Sequence, residues 1–360
     1  MANLNSTRPL AVSEVTANFS RGGDVMESKR PEWSGMSNGF YVGDRGLPWH
    51  VSLSRRLNTP ELMVESGELL RAGDALSLAG LDFEVSKVPV GIVTGRDKSR
   101  RKVWTEVPRT YATVRSDTGA VLGVVGENYR PLQNTDAFAF ADVLVDSGDA
   151  KYETAGALYG GRWVFLSMEV PDEIVVAGDP SEYRLYLVVS NGHDGKHPVE
   201  AFTTIERAVC KNTLKGGKAA AFSSWKIRHT VSLEGRVAAA RSALGLSFRA
   251  AEAFQAQASA LVGKSLVDQQ VEDILRSAFP VSSRDDKPER IDTTTFGKVL
   301  DVYRTSPSIE PIRGTAYGVL NAVTEYLDHM ATYRGRIAGA EDVKADSLLF
   351  GGPAEMAKAM

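Results

Sequence analysis

An α+β fold is what this sequence predicts: an antiparallel meandering β-sheet with flanking helices, followed by a helical C-terminal region. Two blocks rich in Val, Thr, Tyr and Phe, each broken by Gly, Asn or Asp turns, occupy most of residues 80–231. From residue 232 the apolar spacing changes to three and four, the period of a helix. Strands first and helices afterwards argue against the alternating order of a parallel sheet.

Residues 1–38 are polar and without sustained period, and read as a flexible N-terminal arm. An α+β core is expected over 39–231, a helical region over 232–340 and a tail over 341–360. Within the core, Thr59-Pro60-Glu61 supplies a cap, a proline at the first helical position and an acid, so a helix is expected from there through Leu62, Leu69 and Leu70 to Gly73. Extended segments follow, and Asp117-Thr118-Gly119 marks a hairpin between two of them. Asn134 is placed to cap a helix whose Phe138, Ala141, Leu144 and Val145 share a face. In the second strand block, Gly160-Gly161 supplies one turn and the Asn-Gly and Asp-Gly pairs of SNGHDGKH another. Trp163 and Phe165 should lie on one side of a strand. The helical region should hold a long helix with Val237, Leu244, Phe248, Ala251, Ala258 and Leu261 on its face, closed by Gly263. A second helix carries Val267, Val271, Ile274 and Ala278, and two more lie in TFGKVLDVYRT and YGVLNAVTEYLDHMATYR.

Composition bounds the function. The chain has 360 residues, 43% of them apolar, a formal charge of −3 and a pI near 6.0, so any nucleic-acid binding must rest on local rather than global charge. A single cysteine, Cys210, excludes an intramolecular disulfide framework and any Cys-rich zinc module. The N-terminus lacks the apolar stretch of a signal peptide, and no apolar run approaches the roughly 20 residues that span a bilayer. A cytoplasmic protein with no membrane association is expected.

Three motifs suggest chemistry and then weaken. ASALVGKS at 258–265 has the ending of a phosphate loop, yet it closes a helical run where a phosphate loop would open one, and Ala258 stands at the first glycine position; a helix cap is the favoured reading. His193, Asp194, His197 and His229 lie near one another in sequence without a recognised metal-ligand spacing, so a locally bonded turn is favoured over a metal centre. Cys210 suits a small buried side chain better than a nucleophile. No catalytic residue, cofactor or metal is therefore assigned.

Charge distribution carries more information. Arg96, Lys98, Arg100, Arg101, Lys102, Arg109 and Arg115 interleave with Trp104 and Tyr111. A second basic stretch, 196–249, holds Arg207, Lys211, Lys215, Lys218, Lys226, Arg228, Arg236 and Arg241 with Phe222 and Trp225. Cations neutralise phosphates and aromatic faces stack bases, which suits a sequence-tolerant single-strand groove. Ordinary solvated surface explains the same residues as well.

GLPWH at 46–50, VRSDTGAVLGVVGENYRPLQN at 114–134, SNGHDG at 190–195, RAVCKNTL at 207–214, IRHT at 227–230 and NAVTEYLDH at 321–329 together resemble the phage/plasmid-like protein family, a group defined by a domain of unknown function. That resemblance implies a mobile-element setting and no catalytic residues. The architecture is also similar to phage single-strand annealing proteins of the RecT and Erf type, in which a β-β-β-α unit oligomerises with DNA in a basic groove. It implies a helix at 202–215 presenting Arg207, Lys211 and Lys215 on one face. The expected function is then ATP-independent binding and annealing of single-stranded DNA in recombination. Arg207, Lys211, Lys215, Lys226, Arg228, Arg100 and Arg101 would hold phosphates, and Trp225 and Trp104 would stack bases. Expected partners are single-stranded DNA, further copies of the chain, and a phage or host exonuclease or single-strand-binding protein. Two alternatives stay open: a protein-binding module acting on a host nuclease, replication or defence factor, and a metal-dependent enzyme using His193, Asp194 and His229.

Overall fold

The computed structural model describes residues 36–42, 62–64, 71–207, 212–214, 224–226 and 233–331. The fold is α+β, as expected. Strands β1 (Met36–Val42) and β2 (Leu62–Val64) are followed by α1 (Ala72–Leu78), β3 (Val85–Arg96), β4 (Lys102–Arg115) and β5 (Val121–Gly126). Then come α2 (Asn134–Phe138), α3 (Asp142–Asp146), β6 (Lys151–Leu158), β7 (Trp163–Val170), β8 (Tyr183–Gly192) and β9 (Glu200–Arg207). Two short strands, β10 (Asn212–Leu214) and β11 (Ser224–Lys226), lead to α4 (Leu233–Val262), α5 (Asp268–Ala278), α6 (Pro288–Ile291), α7 (Thr295–Thr305) and α8 (Ala316–Glu325).

Two sheets result. The larger has the order β10-β9-β8-β7-β6-β1-β2 with β11 also pairing β9, and all its pairings are antiparallel except that of β1 with β2. The smaller is the antiparallel meander β3-β4-β5. β7 and β8 are buried on both faces, which is why they read as near-continuous apolar runs rather than as alternating ones. Val164, Leu166, Met168, Leu185, Leu187 and Val189 form the face that packs under Leu76, Phe138, Leu144 and the alanines of α4. Ala239, Ala240, Ala243, Ala251 and Ala258 let that helix lie close on the sheet, and Thr203 of β9 donates to Ser247 at 3.1 Å where they touch.

A second cluster joins α5, α7 and α8 through Val271, Leu275, Phe296, Val299, Val302 and Val323. α7 spans the predicted TFGKVLDVYRT, and its start is fixed by Thr294, whose hydroxyl accepts the Gly297 amide at 3.0 Å. α8 bridges the two clusters, Tyr317 lying in the first and Val319, Ala322 and Val323 in the second. Among the described residues no helix is long and apolar enough to cross a membrane.

Five sequence expectations need correction. Leu62 lies in β2 rather than in a helix running to Gly73, and the helix that does form begins at Ala72. Asn134 does not cap its helix; its side chain turns inward, where Nδ2 donates to the Leu81 carbonyl at 2.8 Å. Phe138, Ala141, Leu144 and Val145 are nonetheless all buried, on two short helices instead of one. Phe248 is 39% exposed, off the face of α4 on which Leu244, Ala251, Phe254, Ala258 and Leu261 pack against the core. The described residues of 202–215 lie in the strands β9 and β10 rather than in the expected basic helix.

Candidate nucleic-acid interface

The hairpin predicted around Asp117-Thr118-Gly119 joins β4 to β5, and the three-stranded sheet it helps build is anchored to one end of the larger sheet. Thr113 donates to the His193 carbonyl at 2.8 Å and Arg115 to the Gly160 carbonyl at 2.8 Å. Gly123 sits so close to the 192–195 turn that a Cβ there would fall 2.6 Å from the Asp194 Cα. The inward face of β4 is Thr113 and Arg115, not its apolar alternates. Arg115 is 5% exposed, its guanidinium bonded to Asp117 and stacked 3.8 Å from the Phe83 ring centroid.

Beyond this base the meander loses its third strand. Pro89 pairs with Tyr111 and Gly91 with Glu106, so Val90 faces residues 107–110 across a wide bulge. Past the bulge only β3 and β4 continue, from the Gly91–Glu106 pair to the Arg96–Lys102 pair, as a two-stranded ribbon of roughly 20 Å at the usual rise per residue. Residues 92–106 are all exposed. Paired residues point to the same side, so Val93, Trp104, Arg96 and Lys102 share one face. Trp104 is 64% exposed and its ring lies beside Gly91, where an added Cβ would meet it at 3.4 Å.

The tip is held by its one acid. Asp97 accepts the Ser99 and Arg101 amides at 2.8 and 2.9 Å, while Arg96 donates to the Arg100 carbonyl at 3.1 Å. Residues 96–102 thus carry five cations and one acid, a net +4 in a chain whose total is −3, which leaves −7 for the rest. Arg100 has φ 63°, a left-handed conformation that glycine or asparagine adopts at lower cost.

The nine residues expected to touch nucleic acid therefore separate. Arg100, Arg101 and Trp104 come together on the ribbon. Arg207 does not join them: it is fully buried, and its Nε and Nη2 donate to Asp179 at 2.7 and 2.9 Å and Nη1 to the Ser308 carbonyl at 2.8 Å. Burial would raise the Asp179 carboxyl, but bonds from Arg207, Tyr183 and Ser181 outweigh it and hold it below its ordinary value. Arg207 thus ties β9 to the helical region and cannot reach a phosphate. Trp225 and Lys226 lie on β11, with Trp225 paired to Ala201 and Lys226 to Glu200. Lys211, Lys215 and Arg228 fall outside the described residues, as do Cys210 and His229. The ribbon residues Val93, Arg96, Lys98 and Lys102 belong with Trp104; the signal for them was a turn-forming Asp97 between two extended runs.

The SNGHDG turn holds a second ordered cluster. Asp194 Oδ1 accepts the Lys196 and His197 amides, and Oδ2 accepts from His197 Nδ1 at 2.8 Å and Trp163 Nε1 at 3.1 Å. Burial pushes this carboxyl up, but His197, the Lys196 amide and Trp163 together hold it well below the usual carboxylate range. The rings of Trp163 and His197 pack against each other with centroids 3.9 Å apart and planes tilted by 58°. His193 turns the other way, its Nε2 bonded to Asn134 Oδ1 at 2.9 Å in a fully buried position, and burial lowers its pKa to about 4. His193 and Asp194 thus diverge, and among the described residues no three metal-ligating side chains converge. ASALVGKS closes α4, where the Gly263 amide bonds the Ser259 carbonyl and the Ser259 hydroxyl accepts the Ala177 amide; this is a helix end packed on a loop, not a phosphate cradle.

Comparison with known proteins gives one match. No curated protein and no solved structure matches the chain. A family model described as "Domain of unknown function (DUF932)" matches residues 121–349, from the first residue of β5 through the SNGHDG turn and the second hydrophobic cluster, so the ribbon precedes the matched segment. With well over half its length covered, the chain belongs to the DUF932 family.

Proposed function

We propose that the chain binds single-stranded nucleic acid, DNA in the first instance, through the β3–β4 ribbon, and promotes annealing without a nucleotide cofactor. The observation that carries this reading is the ribbon itself: a net charge of +4 on residues 96–102, next to an aromatic ring 64% exposed, on an extension that stands clear of the other described residues. Arg96, Lys98, Arg100, Arg101 and Lys102 contact phosphates, and Trp104 stacks on a base with Val93 beside it. No transition state needs stabilising in annealing; the protein holds backbones and leaves base edges free to pair. Phosphate contacts carry no sequence information, so binding is blind to sequence. A phage or plasmid setting in a host cytoplasm, with oligomers of the chain acting beside an exonuclease or single-strand-binding protein, belongs to the same proposal.

The test is fluorescence anisotropy with a labelled strand of about 40 nucleotides, several times the roughly 4–16 bound by one single-strand module. Trp104→Ala should weaken binding to every sequence by about 1–3 kcal/mol and leave folding intact. No binding by the parent protein at low salt would end the proposal.

A second reading rests on a different surface. The outer face of the three-stranded sheet aligns Val88, Ala112 and Val124 in one row, and Val88, Val121 and Val124 are 44–62% exposed. Exposed apolar rows of this kind favour a protein partner, and capture of a host protein that survives nuclease treatment would support a modulator role instead.

A further inference from the structure

The chain carries, at the opposite end of its sheet from the ribbon, a cavity of about 900 Å³. It lies where β6 begins, β7 ends and β8 begins, between Lys151, Val170 and Leu185 and the loop 171–182. The ribbon's base is fixed at the other end of the same three strands, on Gly160 and His193. Eight residues of β7 put the two ends roughly 25 Å apart.

The two features are complementary. Val170, Ile174 and Leu185 give the cavity an apolar wall, and its loop carries Val175, which is 58% exposed. Five carboxylates and two cations line it. Asp179 is bonded to Arg207, Glu169 to Lys151 and Glu182 to Arg184, while no ion pair among the described residues engages the exposed Asp172 and Glu173. Those two carboxylates face solvent beside an apolar recess. The ribbon offers the counterpart in one unit: Trp104 and Val93 next to Arg96 and Lys102, with Lys98 and Arg101 at the tip. A cavity of this size encloses a few large side chains, not a whole ribbon.

We infer that the ribbon of one copy docks in the acid-rimmed cavity of a second copy. Trp104 enters the recess and the tip cations meet Asp172 and Glu173. Within one chain neither surface covers the other, since Trp104 and Val175 are both largely exposed. The contact is head to tail, because ribbon and cavity sit at opposite ends of the sheet, so each docked pair leaves one ribbon and one cavity unused. Such a contact extends until it closes into a ring or continues as a filament. Nucleic acid and the cavity compete for the same cations, so association and strand binding oppose each other on a single ribbon.

Sedimentation velocity of the full chain over a range of concentration and salt tests this, with two charge-reversed variants. One reverses the ribbon (Lys98→Glu with Arg101→Glu) and the other the cavity rim (Asp172→Lys with Glu173→Lys). The parent should associate at low salt and dissociate as screening shortens to about 8 Å near physiological ionic strength. Each variant alone should be monomeric, with circular dichroism confirming that it is folded. Mixed, they should associate again, because the substituted ribbon pair then faces the substituted rim pair of opposite sign and the native ribbon faces the native rim. A parent that stays monomeric at low salt, a rim variant that associates like the parent, or a mixture of folded variants that stays monomeric would each overturn the inference. The rim variant also separates this inference from the proposed function. It should lose self-association and keep single-strand binding, whereas failure of the strand-binding reading alone would leave association intact and abolish only the DNA signal.

Discussion

Acid should destabilise this protein through its buried histidine. His193 is fully buried, its Nε2 donates to Asn134 Oδ1, and burial lowers its pKa from 6.5 to about 4. Between those values the unfolded chain binds more protons than the folded one, so stability is complete above pH 6.5 and falls as the pH drops toward 4. The gap corresponds to about 3 kcal/mol in full at 1.36 kcal/mol per pH unit, of which about 2 kcal/mol should be lost between pH 7 and pH 5. Asp194, held low by its bonds, keeps its contribution until the pH falls below the usual carboxylate range, so it does not act in this window. Urea unfolding at pH 7 and pH 5 measures the loss, and His193→Gln, which keeps a donor toward Asn134 but does not titrate, should remove most of it. If parent and variant lose the same stability over this window, His193 is not a buried neutral imidazole and its placement is wrong.

Arg207→Met should cost about 3–5 kcal/mol in urea unfolding, because it strands the Asp179 charge in the interior, and Arg207→Met combined with Asp179→Leu should recover much of that loss. Gly123→Ala should lower stability by about 1–3 kcal/mol in thermal unfolding, since the added methyl meets the Asp194 backbone, which cannot yield as a flexible side chain would. Arg100→Gly should do the reverse, raising stability by up to about 1 kcal/mol by relieving φ 63° while weakening strand binding; a variant that binds as tightly as the parent would remove Arg100 from the interface.

Much of the fold was legible because local signals agreed with the final packing. Asp117-Thr118-Gly119 announced a hairpin and the apolar spacing of TFGKVLDVYRT a helix, and tertiary structure left both in place. Arg207 was misread because a cation in a sequence such as IERAVCK looks solvated, and its partner Asp179 lies 28 residues away in a loop with no signal of its own. The likeness to annealing proteins implied a helix at 202–215, yet β9 and β10 pair there as antiparallel strands, a long-range pairing that no local signal in the segment announces. Asn134 stood where a cap stands, and only the fold reveals that His193 and the Leu81 carbonyl claim its side chain. For the candidate site, the cationic cluster and Trp104 were visible in sequence. That they stand clear of the sheet was not, because it follows from the bulge opposite Val90, which depends on register rather than composition.

If the ribbon holds phosphates, the salt dependence of strand binding must follow its cations. Affinity for the labelled single strand is measured against salt concentration for the parent protein and for Lys98→Glu with Arg101→Glu. Each phosphate contact contributes about 0.7 to the slope of log affinity against log salt on single strands, so loss of two contacts should flatten the slope by about 1.4, equally for every sequence. Both residues are exposed, so the variant should unfold within about 0.5 kcal/mol of the parent. A variant that binds as tightly as the parent with an unchanged slope would show that the ribbon does not hold the strand.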